Sequence, residues 1–167
     1  MKHRIYLSLG SNLGNRQENL IRAYDLLAPE VQLIQTSSIY ETAPWGYLEQ
    51  PAFLNCVVEA ETNQAPRALL VKLKRIETEL GRQPTFRNGP RVIDIDILLY
   101  DEMVMSSDEI TLPHPRMLER AFVLVPLAEI AGDLQYSPTG VTINSLLDGI
   151  DKTGVERYDP KGKAEES

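Results

Sequence analysis

Val92-Ile93-Asp94-Ile95-Asp96-Ile97-Leu98-Leu99-Tyr100 is the stretch whose reading decides the fold. It is short, β-branched and apolar, as a strand is, and alternation puts Asp94 and Asp96 on one face with Ile93, Ile95 and Ile97 on the other. Upstream, residues 82–90 carry Pro84, Gly89 and Pro90 without an apolar period and read as a loop. Before them Leu69, Leu73, Ile76 and Leu80 repeat at helical spacing, with Pro66 in the first turn and Gly81 as the terminal cap. Residues 53–61 and 31–40 read as strands, separated by an irregular 43–51 that holds Pro44, Gly46 and Pro51. A first helix runs from a capping box at Asn15 and Glu18 through Leu20, Ala23, Tyr24 and Leu27 to Pro29. Residues 4–9 form a first strand that ends at the loop Gly10-Ser11-Asn12.

Downstream, 103–112 is a weaker extended stretch, expected to complete a hairpin with the aspartate strand through Asp101-Glu102. Residues 121–131 read as a helix with Pro126 in its first turns, and Ile143, Leu146, Leu147 and Ile150 mark a short last one. From Asp151 the chain is charged and nearly free of apolar residues, so 151–167 reads as a frayed, flexible tail behind a single domain at 1–150. The order strand, helix, strand, strand, helix, strand is the ferredoxin-like split unit. The expected class is therefore α+β, a mostly antiparallel sheet with flanking helices and an added hairpin.

At 167 residues, 43% apolar and 25% charged, the chain suits one core and leaves little room for fusion to a further enzyme. No apolar run approaches the ~20 residues of a membrane span and no signal-peptide stretch opens the chain, so a cytoplasmic location without a membrane partner is expected. Cys56, the one cysteine, cannot form an internal disulfide and sits in the apolar run 53–58 as core filler. The net charge of -7 argues against nucleic acid as a partner, since such binders neutralise phosphates with clustered Lys and Arg.

Two carboxylates roughly 7 Å apart on so apolar a strand are costly to bury unless a cation compensates them. Hard oxygen ligands suit magnesium, which takes one or two carboxylates with substrate phosphates and water. A strand with one solvated face is the plain structural alternative. Arg82, Arg87 and Arg91 lie just ahead of the pair and His114, Arg116 and Arg120 just behind, in a chain otherwise acidic. Arginine forks suit phosphate oxygens, so a polyphosphate bridging metal and arginines fits, although ion pairs with Glu77 or Glu79 would also occupy them. Pro113 and Pro115 restrict the backbone around His114 and aim its imidazole, for a proton or phosphate contact or for a structural one. Gly10-Ser11-Asn12-Leu13-Gly14-Asn15 precedes a helix as anion-binding loops do, but it lacks the Gly-Lys-Ser/Thr ending, and a turn with a helix cap is the better reading. Thr42-Ala43-Pro44-Trp45-Gly46-Tyr47 with Gln50-Pro51-Ala52-Phe53-Leu54-Asn55 sets aromatics beside amides. That combination holds flat heterocycles, and it equally packs as a surface loop.

Together these residues resemble the 6-hydroxymethyl-7,8-dihydropterin pyrophosphokinase family. The likeness runs through Leu7-Ser8-Leu9-Gly10-Ser11-Asn12-Leu13-Gly14, Tyr40-Glu41-Thr42-Ala43-Pro44 and Gln50-Pro51-Ala52-Phe53-Leu54-Asn55. It continues in Gly89-Pro90-Arg91-Val92-Ile93-Asp94-Ile95-Asp96-Ile97, the most specific segment, then Leu112-Pro113-His114-Pro115 and Arg120-Ala121-Phe122, and covers about 4–150 in order. The resemblance implies an ATP-binding transferase of folate biosynthesis, a pyrophosphokinase that moves the β,γ-diphosphate of ATP to the hydroxymethyl group of the dihydropterin and releases AMP. It implies two Mg2+ on Asp94 and Asp96, catalytic roles for Arg82, Arg91, Asp94, Asp96 and His114, and nucleotide contacts from Glu77, Arg82, Arg91, His114 and Arg120. Phe53 and Phe122 would sandwich the pterin, Asn55 with backbone groups around Thr42 and Trp45 would read its edge, and 82–90 would be a lid. ATP and the hydroxymethyl dihydropterin are then the small-molecule partners of a monomer.

Three places depart from the family pattern. Phe53 stands where tyrosine is frequent, Pro115 where an aromatic residue often follows the histidine, and 83–88 is shorter or less basic than the usual arginine- and tryptophan-bearing segment. Two other readings also fit the residues: another two-metal nucleotide transferase, and a non-catalytic ferredoxin-like ligand-binding module, since fold does not fix function.

Overall fold

The central strand of the sheet is apolar toward both faces, and what covers each face determines where a cleft can form. The computed structural model describes residues 2–43, 48–83, 85 and 89–158. Along the chain come β1 (His3–Ser11), α1 (Arg16–Leu27), β2 (Val31–Thr36), β3 (Tyr40–Thr42), β4 (Phe53–Thr62), α2 (Pro66–Glu79) and β5 (Asp94–Tyr100). There follow β6 (Met105–Ser106), β7 (Thr111–Leu112), α3 (Ala121–Ala131), β8 (Gln135–Tyr136), β9 (Val141–Thr142), α4 (Ile143–Asp148) and β10 (Val155–Arg157). The main sheet has the order β10-β3-β4-β1-β5, with β2 on the same edge of β4 as β3, and its paired strands are antiparallel. With the β2/β3 stretch taken as one strand this is the ferredoxin-like order, so the expected class holds.

Ile5, Leu7 and Leu9 of β1 face α1 and α2, where they join Leu20, Ala23, Leu27, Leu69, Leu73 and Ile76 in the larger core. Each fully buried leucine contributes about 1.5–3 kcal/mol by area, so this side carries most of the stability. Cys56 fills space here as expected, 1% exposed, with the Tyr24 hydroxyl 3.0 Å from its sulfur. Tyr6 points the other way and packs with Val57, Leu98, Val123, Leu124 and Leu127 under α3. That helix covers only one end of its face. Further along the same face lie Ser8, Gly10, Asn55, Asp94 and Asp96, all lining a cleft.

The alternation expected for the aspartate strand holds, with Ile93, Ile95 and Ile97 buried at 0%, 1% and 5% exposure. Its ladder with β1 is irregular: Tyr6 pairs Leu99 while Leu7 pairs Ile97, so Leu98 is an extra residue, a β-bulge. Leu98 and Leu99 both pack on the α3 side, and Ile97 and Tyr100 on the α1/α2 side. The helix ends follow their sequence signals. Asn15 Oδ1 accepts the Glu18 N–H at 3.1 Å, which makes 10–15 a strand end and a cap. After α2, Gly81 takes φ 97°, its N–H reaches the Thr78 carbonyl and the Arg82 N–H the Glu77 carbonyl, each at 3.0 Å. This paired closure turns the chain back over the helix end.

Several expectations are corrected. β1 continues through Gly10 to Ser11, because those residues still pair with Asn55 and Leu54. The single strand expected at 31–40 is two, since Ser37 exchanges its N–H and its Oγ with the Val57 backbone, both at 2.9 Å, and interrupts the ladder. No hairpin forms between 103–112 and β5. Instead β6 and β7 pair with each other, and Asp101, at φ 49°, binds the Arg4 N–H through its side chain and continues the β1 edge. As expected, α3 spans 121–131 with Pro126 inside it, where the missing N–H removes the usual bond to the Phe122 carbonyl. The tail expected from Asp151 is not frayed as far as Tyr158: β10 pairs with β3, and the Tyr158 N–H donates to the Ile39 carbonyl at 2.8 Å. Residues 159–167 lie outside the described residues. Among the described residues no helix is long and apolar enough to cross a membrane.

Candidate active site

The cleft, about 470 Å3, opens at the end of the sheet that α3 leaves uncovered. β1 contributes Ser8 and Gly10, β4 contributes Phe53 and Asn55, and β5 contributes Asp94 and Asp96. Register brings them together: Ser8 pairs Asp96, while Gly10 lies between Asn55 and Asp94. The rim consists of Thr42, Ala43, Lys74, Arg82, Arg91, His114, Pro115, Arg116, Arg120 and Phe122.

The two aspartates differ in their surroundings. Burial, and next the Asp94 carboxylate, push the Asp96 carboxyl up to about 7, against the pull of Arg120 and Lys74. Among the described residues the cation paired with Asp94 is Arg82, whose Nη1 lies 3.2 Å from Asp94 Oδ1 and 2.5 Å from Glu77 Oε1. Glu77 itself is 2% exposed and lies behind the cleft. Its other oxygen accepts the Ile95 N–H at 2.8 Å, and Lys74 Nζ lies 3.3 Å from Oε1. These bonds tie Glu77 to Arg82 and to the backbone of the aspartate strand. It holds β5 and Arg82 in relation to each other, and the turn at Gly81 is what returns Arg82 over it.

His114 comes back to β5 through its N–H, bonded to the Leu98 carbonyl at 2.9 Å. Burial, and then the charge of Arg120, push its imidazole down to about 4, so the ring is neutral near pH 7. Nδ1 accepts the Arg116 N–H at 3.1 Å, which assigns the proton to Nε2, 4.0 Å from Asp96 Oδ2. Arg120 lies over the Phe122 ring at 5.5 Å, and among the described residues its buried Nε has no hydrogen-bond acceptor. Asn55 donates Nδ2 to Thr42 Oγ1 at 2.8 Å, which orients the amide and distinguishes Oδ1 as its acceptor. Arg91 is fixed by its backbone, its N–H to Asn12 Oδ1 at 2.7 Å and its carbonyl to the Asn12 N–H at 3.0 Å.

Of the residues expected from the sequence, Thr42, Phe53, Asn55, Arg82, Arg91, Asp94, Asp96, His114, Arg120 and Phe122 converge on this one cleft. Trp45 and Arg87 lie outside the described residues, as do Pro84, Phe86 and Asn88 of the expected lid. Ser8, Gly10 and Lys74 were not anticipated as site residues; only their spacing from Asp96, Asn55 and Glu77 in three dimensions reveals them. Among the described residues no group of three or more His, Cys, Asp or Glu forms a metal cage. Two carboxylates suit a cation that draws its other ligands from substrate and water.

The sequence is 44% identical over 158 residues to the 2-amino-4-hydroxy-6-hydroxymethyldihydropteridine pyrophosphokinase of Methylorubrum extorquens, covering 93% of this chain and 99% of that one. It is 43% identical over 147 residues to the folic acid synthesis protein fol1 of Pneumocystis carinii, covering 87% of this chain but 20% of that longer protein. The chain thus spans about a fifth of such relatives and nearly all of others. The structure resembles the crystal structure of Plasmodium falciparum HPPK-DHPS with pterin and p-hydroxybenzoate, with TM-score 0.75 over 94% of this chain and 45% of that one. At 16% identity that likeness speaks to the fold. The family profile described as 7,8-dihydro-6-hydroxymethylpterin-pyrophosphokinase matches residues 6–132, which span the strands, helices and loops that build the cleft. The chain belongs to the 7,8-dihydro-6-hydroxymethylpterin-pyrophosphokinase family.

Proposed function

We propose that this chain transfers the β,γ-diphosphate of ATP to the hydroxymethyl oxygen of 6-hydroxymethyl-7,8-dihydropterin and releases AMP, the folate-pathway reaction of its family. The observation that carries the reading is one cleft in which Asp94 and Asp96 face Lys74, Arg82, Arg91, Arg116 and Arg120, with two phenylalanines and an oriented amide at its side. Opposite charges at such distance suit a polyphosphate that lies between them.

Asp94 and Asp96 would hold two Mg2+. The fit is chemical: both side chains are hard oxygen donors, and burial together with the neighbouring Asp94 raises the Asp96 carboxyl, a cost that a bound cation would relieve. Bound there, the ions would neutralise phosphate charge as it shifts from the attacking to the leaving oxygen. Arg82, held by Glu77, and Arg120, whose Nε has no acceptor among the described residues, are the donors that meet phosphate oxygens. His114 keeps a proton at Nε2 while neutral and can donate it in a hydrogen bond to the same oxygens. On the acceptor side Phe53 and Phe122 provide ring faces, and Asn55, its amide oriented by one N–H on Thr42 Oγ1, offers Oδ1 as acceptor to a pterin N–H. Little covalent chemistry falls to the protein in phosphoryl transfer, so positioning and charge do the catalytic work.

Incubation with ATP, Mg2+ and the hydroxymethyl dihydropterin, with nucleotide products resolved, tests the reading. AMP in step with pterin diphosphate is expected. Release of inorganic pyrophosphate would overturn it in favour of nucleotidyl transfer, and binding without turnover would favour a ligand-binding module.

A further inference from the structure

Arg16 is the first residue of α1, where its positive charge opposes the positive end of the helix dipole, so contacts outside the helix hold it there. Nη1 uses both hydrogens, one to Glu41 Oε2 at 2.8 Å and one to the Ala52 carbonyl at 2.9 Å. Those partners stand at the neck of the excursion between β3 and β4: Glu41 pairs Leu54 and Thr42 pairs Phe53. The guanidinium also lies over the Tyr158 ring, 5.6 Å from its centroid, and the Tyr158 backbone extends the β10–β3 ladder. With side chains 23% and 19% exposed, Arg16 and Glu41 are shielded from the screening that weakens surface ion pairs.

The residues next to this neck are those of the acceptor side. Thr42 follows Glu41 and orients the Asn55 amide, and Phe53 follows Ala52. We propose that Arg16 is a positioning residue for the pterin half of the cleft, clamping both ends of the loop between β3 and β4, with Tyr158 of the C-terminal segment completing the clamp. It touches neither substrate. It acts through the register of Thr42 on Phe53, and it rests on the function proposed above. Lys74, Arg82 and Arg120, on the nucleotide side, do not contact it.

The test compares Arg16→Gln, Arg16→Lys and Glu41→Gln with the unaltered chain in AMP release. In Arg16→Gln the KM for hydroxymethyl dihydropterin rises about tenfold while the KM for ATP and kcat stay within about twofold. Glu41→Gln reproduces the direction, and Arg16→Lys recovers part of the loss, because an ammonium reaches Glu41 without spanning Ala52 and Tyr158. Backbone amide exchange quickens at Thr42 and Phe53 but not along the β1–β5 ladder. Equal rises in both KM values with faster exchange throughout mark a merely structural role and overturn the proposal, as do unchanged kinetics. If the unaltered chain releases no AMP, the functional reading fails instead, and the exchange at Thr42 and Phe53 alone decides whether the clamp exists.

Discussion

A Cβ on residue 10 would stand 2.9 Å from Asn55 Oδ1, so Gly10 and Asn55 meet across the β1–β4 ladder with no space for a side chain between them. In the proposed reading the atom met is the acceptor that reads the pterin. Gly10→Ala should therefore push that oxygen aside and raise the KM for the pterin by about tenfold, equivalent to about 1.4 kcal/mol, with the KM for ATP unchanged. The amide end of a side chain can yield, so the melting temperature should hardly move. Steady-state kinetics with each substrate varied in turn check the asymmetry, and a loss confined to ATP would refute it.

Asp96→Ala should lower kcat by about a thousandfold or more while leaving pterin affinity within a few fold, because the charge it would help neutralise develops on the phosphates. Calorimetric titration of the pterin and single-turnover AMP formation separate the two. A variant that keeps most of its turnover would remove Asp96 from the proposed metal site.

Glu77 distinguishes positioning from nucleotide contact. Glu77→Ala strands the Ile95 N–H in the interior and releases Arg82, and should cost about 3 kcal/mol in urea denaturation. Glu77→Gln keeps the acceptor for Ile95 and should cost less. If Glu77 instead bound nucleotide directly, the glutamine variant would raise the KM for ATP with no loss of stability.

Acid should loosen the junction of α3 with β3. Burial works to raise the Glu129 carboxyl, but hydrogen bonds from the Ser38 and Tyr40 hydroxyls and the Ser38 N–H, with the charge of Arg157, hold it below its ordinary value of 4.5. A depressed folded-state pKa means stability present above the unfolded value and lost as pH falls through the folded one. Melting temperatures of the unaltered chain and Glu129→Gln should thus differ most above pH ~5 and converge toward pH ~3. A gap that widens on acidification would reverse the sign and defeat the account.

Periodicity made most of the site legible. An alternation of two puts Asp94 and Asp96 on one face whatever the sheet around them, and the prolines beside His114 announce a stiff loop. What the sequence concealed depends on register between distant strands. Gly10 looks like the start of a turn because nothing local says that Asn55 will lie across from it. Lys74 looks like any solvated lysine of α2 until Glu77 and the Gly81 turn place the cleft beside it. Val155-Glu156-Arg157 has no apolar signature, and it becomes a strand because β3 offers a three-residue edge and Tyr158 can bury against the core. The bonds of Glu77 to Ile95 and Arg82 were equally hidden, because a carboxylate facing an interior amide reads the same in sequence as one facing a ligand.

The bulge at Leu98 works as a parity switch. Counted back from Tyr100, strict alternation would point Asp94 and Asp96 the way Tyr100 points, into the apolar interior against α1 and α2; the extra residue reverses the count. The same residue's carbonyl receives the His114 N–H, so one irregularity brings carboxylates and imidazole to a common place. Excising that single leucine would leave the composition almost untouched and still turn the chemistry inside out, which makes the site's information a matter of phase as much as of residue identity.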